Sequence, residues 1–123
     1  MKNEVVSFDQ AVVLNELKYD GDYNYTYTID KHLWYGDVKA DGVSTLAAPL
    51  KQQAFRWFQN KYNWYHTMDF RRKAYPSTNQ YKWKIDIGLG DVFFIGWADT
   101  YEEAENACID KLIEIAKQQD NES

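Results

Sequence analysis

The chain has 123 residues and a formal net charge of −5, and 17% of it is aromatic, including ten Tyr and five Trp. That is one domain's worth of chain, able to bury roughly two thirds of its unfolded surface, and so many rings exclude intrinsic disorder. A single cysteine, Cys108, excludes an internal disulfide, and two widely separated histidines, His32 and His66, exclude a ligand cluster of zinc-finger type. The start MKNEVVSFDQ lacks the apolar core of a signal peptide, and no apolar run approaches the ~20 residues that cross a bilayer, so a cytoplasmic location is expected.

Charge is unevenly placed. Residues 1–47 carry a net −4, residues 48–98 a net +5 and residues 99–123 a net −6. A basic middle between acidic ends is expected to pair with them on folding, since mixed-sign surfaces are the norm.

The elements follow in chain order. Ser7-Phe8-Asp9-Gln10 has the S-x-x-Q form of a capping box, which predicts a helix carrying Val12, Val13, Leu14 and Leu17 and stopped by Asp20-Gly21-Asp22. Tyr23, Tyr25, Tyr27 and Ile29 alternate with small polar residues, the period of a strand. A second strand is expected near 32–38 and a loop over 36–44. Pro49, tolerated in a first helical turn, begins a helix to about Tyr62 with Leu50, Ala54, Trp57 and Phe58 on its apolar side. In the next two strands Trp64, His66, Met68 and Phe70 face inward from one, and Tyr81, Trp83, Ile85 and Ile87 from the other. Gly88-Leu89-Gly90-Asp91 reads as a turn into residues 92–97, VFFIGW, apolar on both faces. Thr100-Tyr101-Glu102-Glu103 is a second capping box, and the helix after it places Tyr101, Ala104, Cys108, Leu112 and Ile115 on one side.

The resulting order is α-β-β-α-β-β-β-α. It predicts a two-layer α+β domain over residues 1–118, with an antiparallel sheet whose helices lie mainly on one face, and a flexible acidic tail at 119–123.

The segments QQAFRWFQNKYN (52–63) and TYEEAENACIDKLIEI (100–115), with FDQAVVLNEL (8–17), resemble small uncharacterised proteins encoded in phages and prophages of gut Bacteroides-type bacteria. The resemblance touches most of the chain and implies a phage-related accessory role, with no activity or binding residue to carry over. From Pro49 onward the order α-β-β-β-α is also similar to a double-stranded RNA-binding domain, whose last helix opens with lysines on phosphates. Here that position reads Thr100-Tyr101-Glu102-Glu103-Ala104-Glu105, which sets glutamates where phosphates would lie.

Two surfaces are candidates for function. If helices cover one face of the last strand, then Phe93, Ile95 and Trp97, or else Val92 and Phe94, remain on the other, and aromatic anchors of that kind suit a protein partner or self-association. The stretch FRRKAYPSTNQYKWK (70–84) interleaves five cations with four rings and no acid, which makes Arg71, Arg72, Lys73, Tyr75, Lys82 and Lys84 a candidate polyanion surface. Phe70, Tyr81 and Trp83 are expected inside, leaving Tyr75 as the ring able to stack on a base. No catalytic motif, metal-ligand spacing or cofactor fingerprint is present. Gly88-Leu89-Gly90 lacks the third glycine of a dinucleotide site, His66 reads as a hydrogen-bonded core residue and His32 as one without an evident partner. A non-catalytic protein-binding or self-assembling module is therefore expected first, and a weak nucleic-acid-binding domain second.

Overall fold

A computed structural model describes residues 4–28, 30–36, 45–72, 79–87 and 93–122. Ser7 caps α1 (Phe8–Glu16) as its spacing requires. Its hydroxyl accepts from the Gln10 amide at 3.1 Å, and Gln10 Oε1 accepts from the Ser7 amide at 2.9 Å. Ala11 and Leu14 are the fully buried apolar positions of this helix.

The Tyr-rich alternation forms β1 (Tyr25–Thr28), which runs antiparallel between β2 (Leu33–Tyr35) and β3 (Thr45–Ala48). Tyr27 faces inward as the alternation requires: its ring meets Phe8 edge-on at 5.5 Å and its hydroxyl donates to the Val6 carbonyl at 2.9 Å. Tyr23 stays exposed, while Thr26 on the other side is buried and donates to the Gly36 carbonyl at 3.0 Å. The inward row is thus shorter than the alternation suggests, and Ile29, its last member, lies outside the described residues. β3 is an element that sequence reasoning leaves unassigned, and residues 37–44 of the expected loop also lie outside the described residues.

Pro49 does not open the second helix. It sits ahead of Leu50, the residue that caps α2 (Lys51–Tyr62), and its buried carbonyl accepts from the Val6 amide at 3.1 Å. With no N–H to place, it ends the strand segment rather than starting the helix. Gln53 completes the cap, accepting from the Leu50 amide at 2.9 Å, and Asn63 closes the helix with a φ of 62°. The aromatic side of α2 is core. Phe58 is wholly buried, with the rings of Trp57, Tyr62 and Trp64 at 5.0, 5.9 and 6.2 Å.

β4 (Trp64–Arg72), β5 (Asn79–Ile87) and β6 (Phe93–Ala98) form a second antiparallel sheet in that order. The register sets Trp64 against Ile87, Met68 against Trp83, and Trp83 against Gly96. Both hairpin strands run beyond the inward-facing sets read from the sequence, to Arg72 and from Asn79, and residues 73–78 between them lie outside the described residues together with the turn at 88–91 and Val92.

The Thr100 hydroxyl accepts from the Glu103 amide at 3.1 Å and starts α3 (Tyr101–Glu122), which runs on through most of the stretch read as a tail. α3 lies on β5 and β6, α2 on β4 and α1 on β3. Gln10 of α1 donates to the Asp110 carboxylate of α3 at 2.9 Å. The architecture is α+β with antiparallel strands and three helices, in the order α-β-β-β-α-β-β-β-α and divided into two small sheets.

One ring departs from its expected place. Phe70 lies on the helix side of β4 yet is 52% exposed, its ring tilted against Tyr81 at 5.1 Å. Trp57 and Trp83, by contrast, are buried.

Candidate functional site

Because the side chains of a strand alternate, the rows Tyr65-Thr67-Asp69, Lys82-Lys84-Asp86 and Ile95-Trp97 share the face of the second sheet turned away from the helices. On this face Tyr65, Thr67, Asp69, Ile95 and Trp97 are all exposed, whereas Trp64, Trp83 and Ile85 on the opposite face are buried in the core. Tyr65 is 49% exposed, Ile95 42% and Trp97 50%, so three large apolar groups stand half in water on one surface. Of the two apolar sets on β6, Phe94 is the one turned toward α3, where the Lys111 ammonium lies 4.7 Å from its ring centre. Phe93 pairs with Asp86 in the ladder, and its side chain lies outside the described part of the strand.

The charges of this face are mixed. Lys84 reaches Asp86 at 3.5 Å, Asp69 stands opposite Lys82 in register, and the Lys82 ammonium lies 5.9 Å from the Trp97 ring centre. Of the polyanion candidates, Lys82 and Lys84 are thus brought onto the open face together with two carboxylates. Arg71 and Arg72 fall at the end of β4, opposite Gln80 and Asn79, while Lys73 and Tyr75 lie outside the described residues.

The cysteine is sealed, while His66 is partly buried and His32 exposed. Cys108 is wholly buried and its thiol is pushed up to about 12, by burial first and by the Glu105 carboxylate second. His66 stacks flat on Phe55, ring centres 3.7 Å apart, and its buried Nδ1 has no hydrogen-bond partner, contrary to the expectation of a hydrogen-bonded core residue. His32 does have a partner: its Nδ1 lies 2.8 Å from the Asp30 carboxylate, both residues exposed. Hydrogen bonds from Thr28 first, then His32, hold the Asp30 carboxyl below its usual range.

Charged residues that sequence reasoning passed over are buried where α2 and α3 begin. Lys51 and Glu105 floor a cleft of about 480 Å³ rimmed by Glu4, Gln52, Tyr101 and Glu102, and Gln52 donates to Glu105 at 3.0 Å. Burial raises the Glu105 carboxyl, with Lys51 opposing. A Lys and a Glu on helices read as solvent-facing, and no local signal marks them otherwise.

Burial lowers the pKa of His66 from 6.5. Below that pH the unfolded chain takes up a proton that the folded chain refuses, so the neutral ring's contribution is whole above 6.5 and is lost as pH falls toward the folded-state value. Glu105 acts with the opposite sign, because its raised pKa lets the folded chain take up a proton first. The difference between wild type and His66→Phe, which keeps the stack on Phe55, isolates the histidine. Denaturant titrations are expected to show wild type losing more stability than the variant between about pH 7 and about pH 5, and equal losses would clear His66 of the effect.

No protein-family model, no curated protein and no solved structure matches the chain. Among the described residues no helix is long and apolar enough to cross a membrane, and no group of three or more His, Cys, Asp or Glu is placed to hold a metal ion.

Proposed function

We propose that the chain is a non-catalytic protein-binding or self-assembling module whose contact surface is the open face of the second sheet. The observation that carries this reading is the half-exposure of Ile95 and Trp97 side by side on the face turned away from the helices. Solvated apolar rings of this kind are what interfaces bury, Trp and Tyr above all. The surrounding Lys and Asp residues supply the polar rim. The burial of Cys108 and the lack of a hydrogen-bond partner at His66 Nδ1 favour a non-catalytic role, and the likeness of segments 8–17, 52–63 and 100–115 to phage-encoded proteins favours an accessory role in that setting.

Nucleic-acid binding ranks second. It draws on Lys82 and Lys84 lying on the same face as Trp97, but Asp69 and Asp86 stand beside them and the first turn of α3 is acidic, so the electrostatic attraction that dominates polynucleotide affinity is weak there.

A photo-crosslinking residue placed at exposed Thr67, in the middle of the outer face, tests the reading in cells that carry the gene. Protein adducts are expected from position 67 and not from exposed Gln118 on α3. Identical adducts from both positions, or adducts removed by nuclease, would overturn it.

A further inference from the structure

We infer that two copies of this chain pair through their β6 strands, edge to edge and antiparallel, into one continuous sheet. The inference goes beyond the reading of the open face, since it concerns the edge of the same sheet. β6 is hydrogen-bonded on one side, to β5, so among the described residues its other side presents unpaired main-chain N–H and C=O groups. Sheets guard such edges with charged side chains or proline. The opposite edge is guarded in this way, since β4 carries Asp69, Arg71 and Arg72. β6, with the sequence FFIGWA, has neither a charge nor a proline.

The occupant follows from symmetry and charge. In a two-fold antiparallel pair, β6 residues meet only β6 residues, so two chains of net charge −5 approach along a row where no like charges oppose each other. Pairing β6 with the next molecule's β4 would set its apolar residues beside charged ones and would not close, leaving an open filament. The alternation also carries across the junction. With like-facing residues opposed, Ile95 and Trp97 of both copies fall on one outer face, and Phe94 and Ala98 on the helix face. A six-residue strand pair lies at the small end of specific interfaces, so the dimer is weak and concentration-dependent.

Sedimentation velocity over a concentration series of the full chain is expected to show a monomer–dimer equilibrium, with alternate β6 amides exchanging more slowly as the dimer fills. Ile95→Lys, an outward substitution at the junction, is expected to raise the dissociation constant by about tenfold or more, whereas Gln118→Lys, at an exposed position of α3, leaves it unchanged. A chain that stays monomeric at its highest soluble concentration overturns the pairing, as does a dimer whose β6 amides are not slowed, a readout that needs no variant. Weakening by Tyr65→Lys on the open face as large as that by Ile95→Lys would mean sheets stacked face to face and overturns it too. A monomer that still cross-links to other proteins from Thr67 removes the pairing and leaves the protein-binding reading standing, while uniform adducts from Thr67 and Gln118 in a chain that dimerises through β6 do the reverse.

Discussion

Phe58→Ala is expected to destabilise the chain by about 4 kcal/mol, the range measured for deleting a buried Phe ring, because transfer and cavity terms add. The neighbours explain why the site does not collapse. Trp57, Tyr62 and Trp64 are rigid rings arrayed around Phe58, and Tyr62 is itself stacked on Trp64 at 4.4 Å, so none can swing into the void without breaking another contact. Against a total stability of roughly 5–15 kcal/mol this is a large fraction, visible as a lower urea midpoint at an unchanged slope. Phe70→Ala is the comparison: its ring is half in solvent and leans on Tyr81, so a loss within about 1 kcal/mol is expected. If the two variants lost equal stability, the α2 aromatic cluster would not be the core of the fold.

Those two phenylalanines also mark the limit of what is legible in the sequence. Both lie on the inward side by periodicity, Phe58 at helical spacing and Phe70 at strand spacing. Periodicity tells which side a residue faces but not how far along the strand the covering helix reaches. The nine-residue strands β4 and β5 carry Phe70 toward the hairpin end, where it leaves the core. Elements with a strong local signal were readable: the Ser7 and Thr100 hydroxyls each accept from the amide three residues on, and Trp64, Trp83 and Ile85 are buried as alternation requires. β3 was not, because Thr45-Leu46-Ala47-Ala48 has neither alternation nor β-branched density, and it is a strand because β1 and α1 flank it.

The candidate face was half legible. VFFIGW announces a strand apolar on both sides, but local sequence cannot say which set α3 will cover, since that depends on the side from which the helix returns. The structure places Phe94 under α3 and leaves Ile95 and Trp97 outside. Tyr65 had the right parity to join them, and only its exposure in the fold reveals it as part of the same surface. The burial of Lys51 and Glu105 depends on two helix starts, more than fifty positions apart, meeting in space, as their link through Gln52 demonstrates.

Gly96→Ala is expected to cost about 2 kcal/mol, although the exchange favours alanine in an ordinary strand. Glycine in a strand interior is worse than alanine by roughly 0.5–1 kcal/mol, and the backbone here needs no glycine dihedral, since Gly96 is not among the residues with positive φ. The loss comes from Trp83. It stands directly across the ladder, and its indole lies over the glycine so closely that an added Cβ would overlap Cε2 and Cζ2. Trp83 is buried beneath the helices and cannot swing out, so the overlap must be relieved by shifting β6 or by straining the ring, and overpacking of this kind costs roughly 1–3 kcal/mol. The melting temperature is expected to fall by roughly 5–10 °C. Shortening the ring removes the clash, so Trp83→Phe should cost less in the Gly96→Ala background than in wild type, and that coupling separates the contact from a general loss of strand order. Additive losses, or a Gly96→Ala chain as stable as wild type, would mean that the indole does not rest on this glycine.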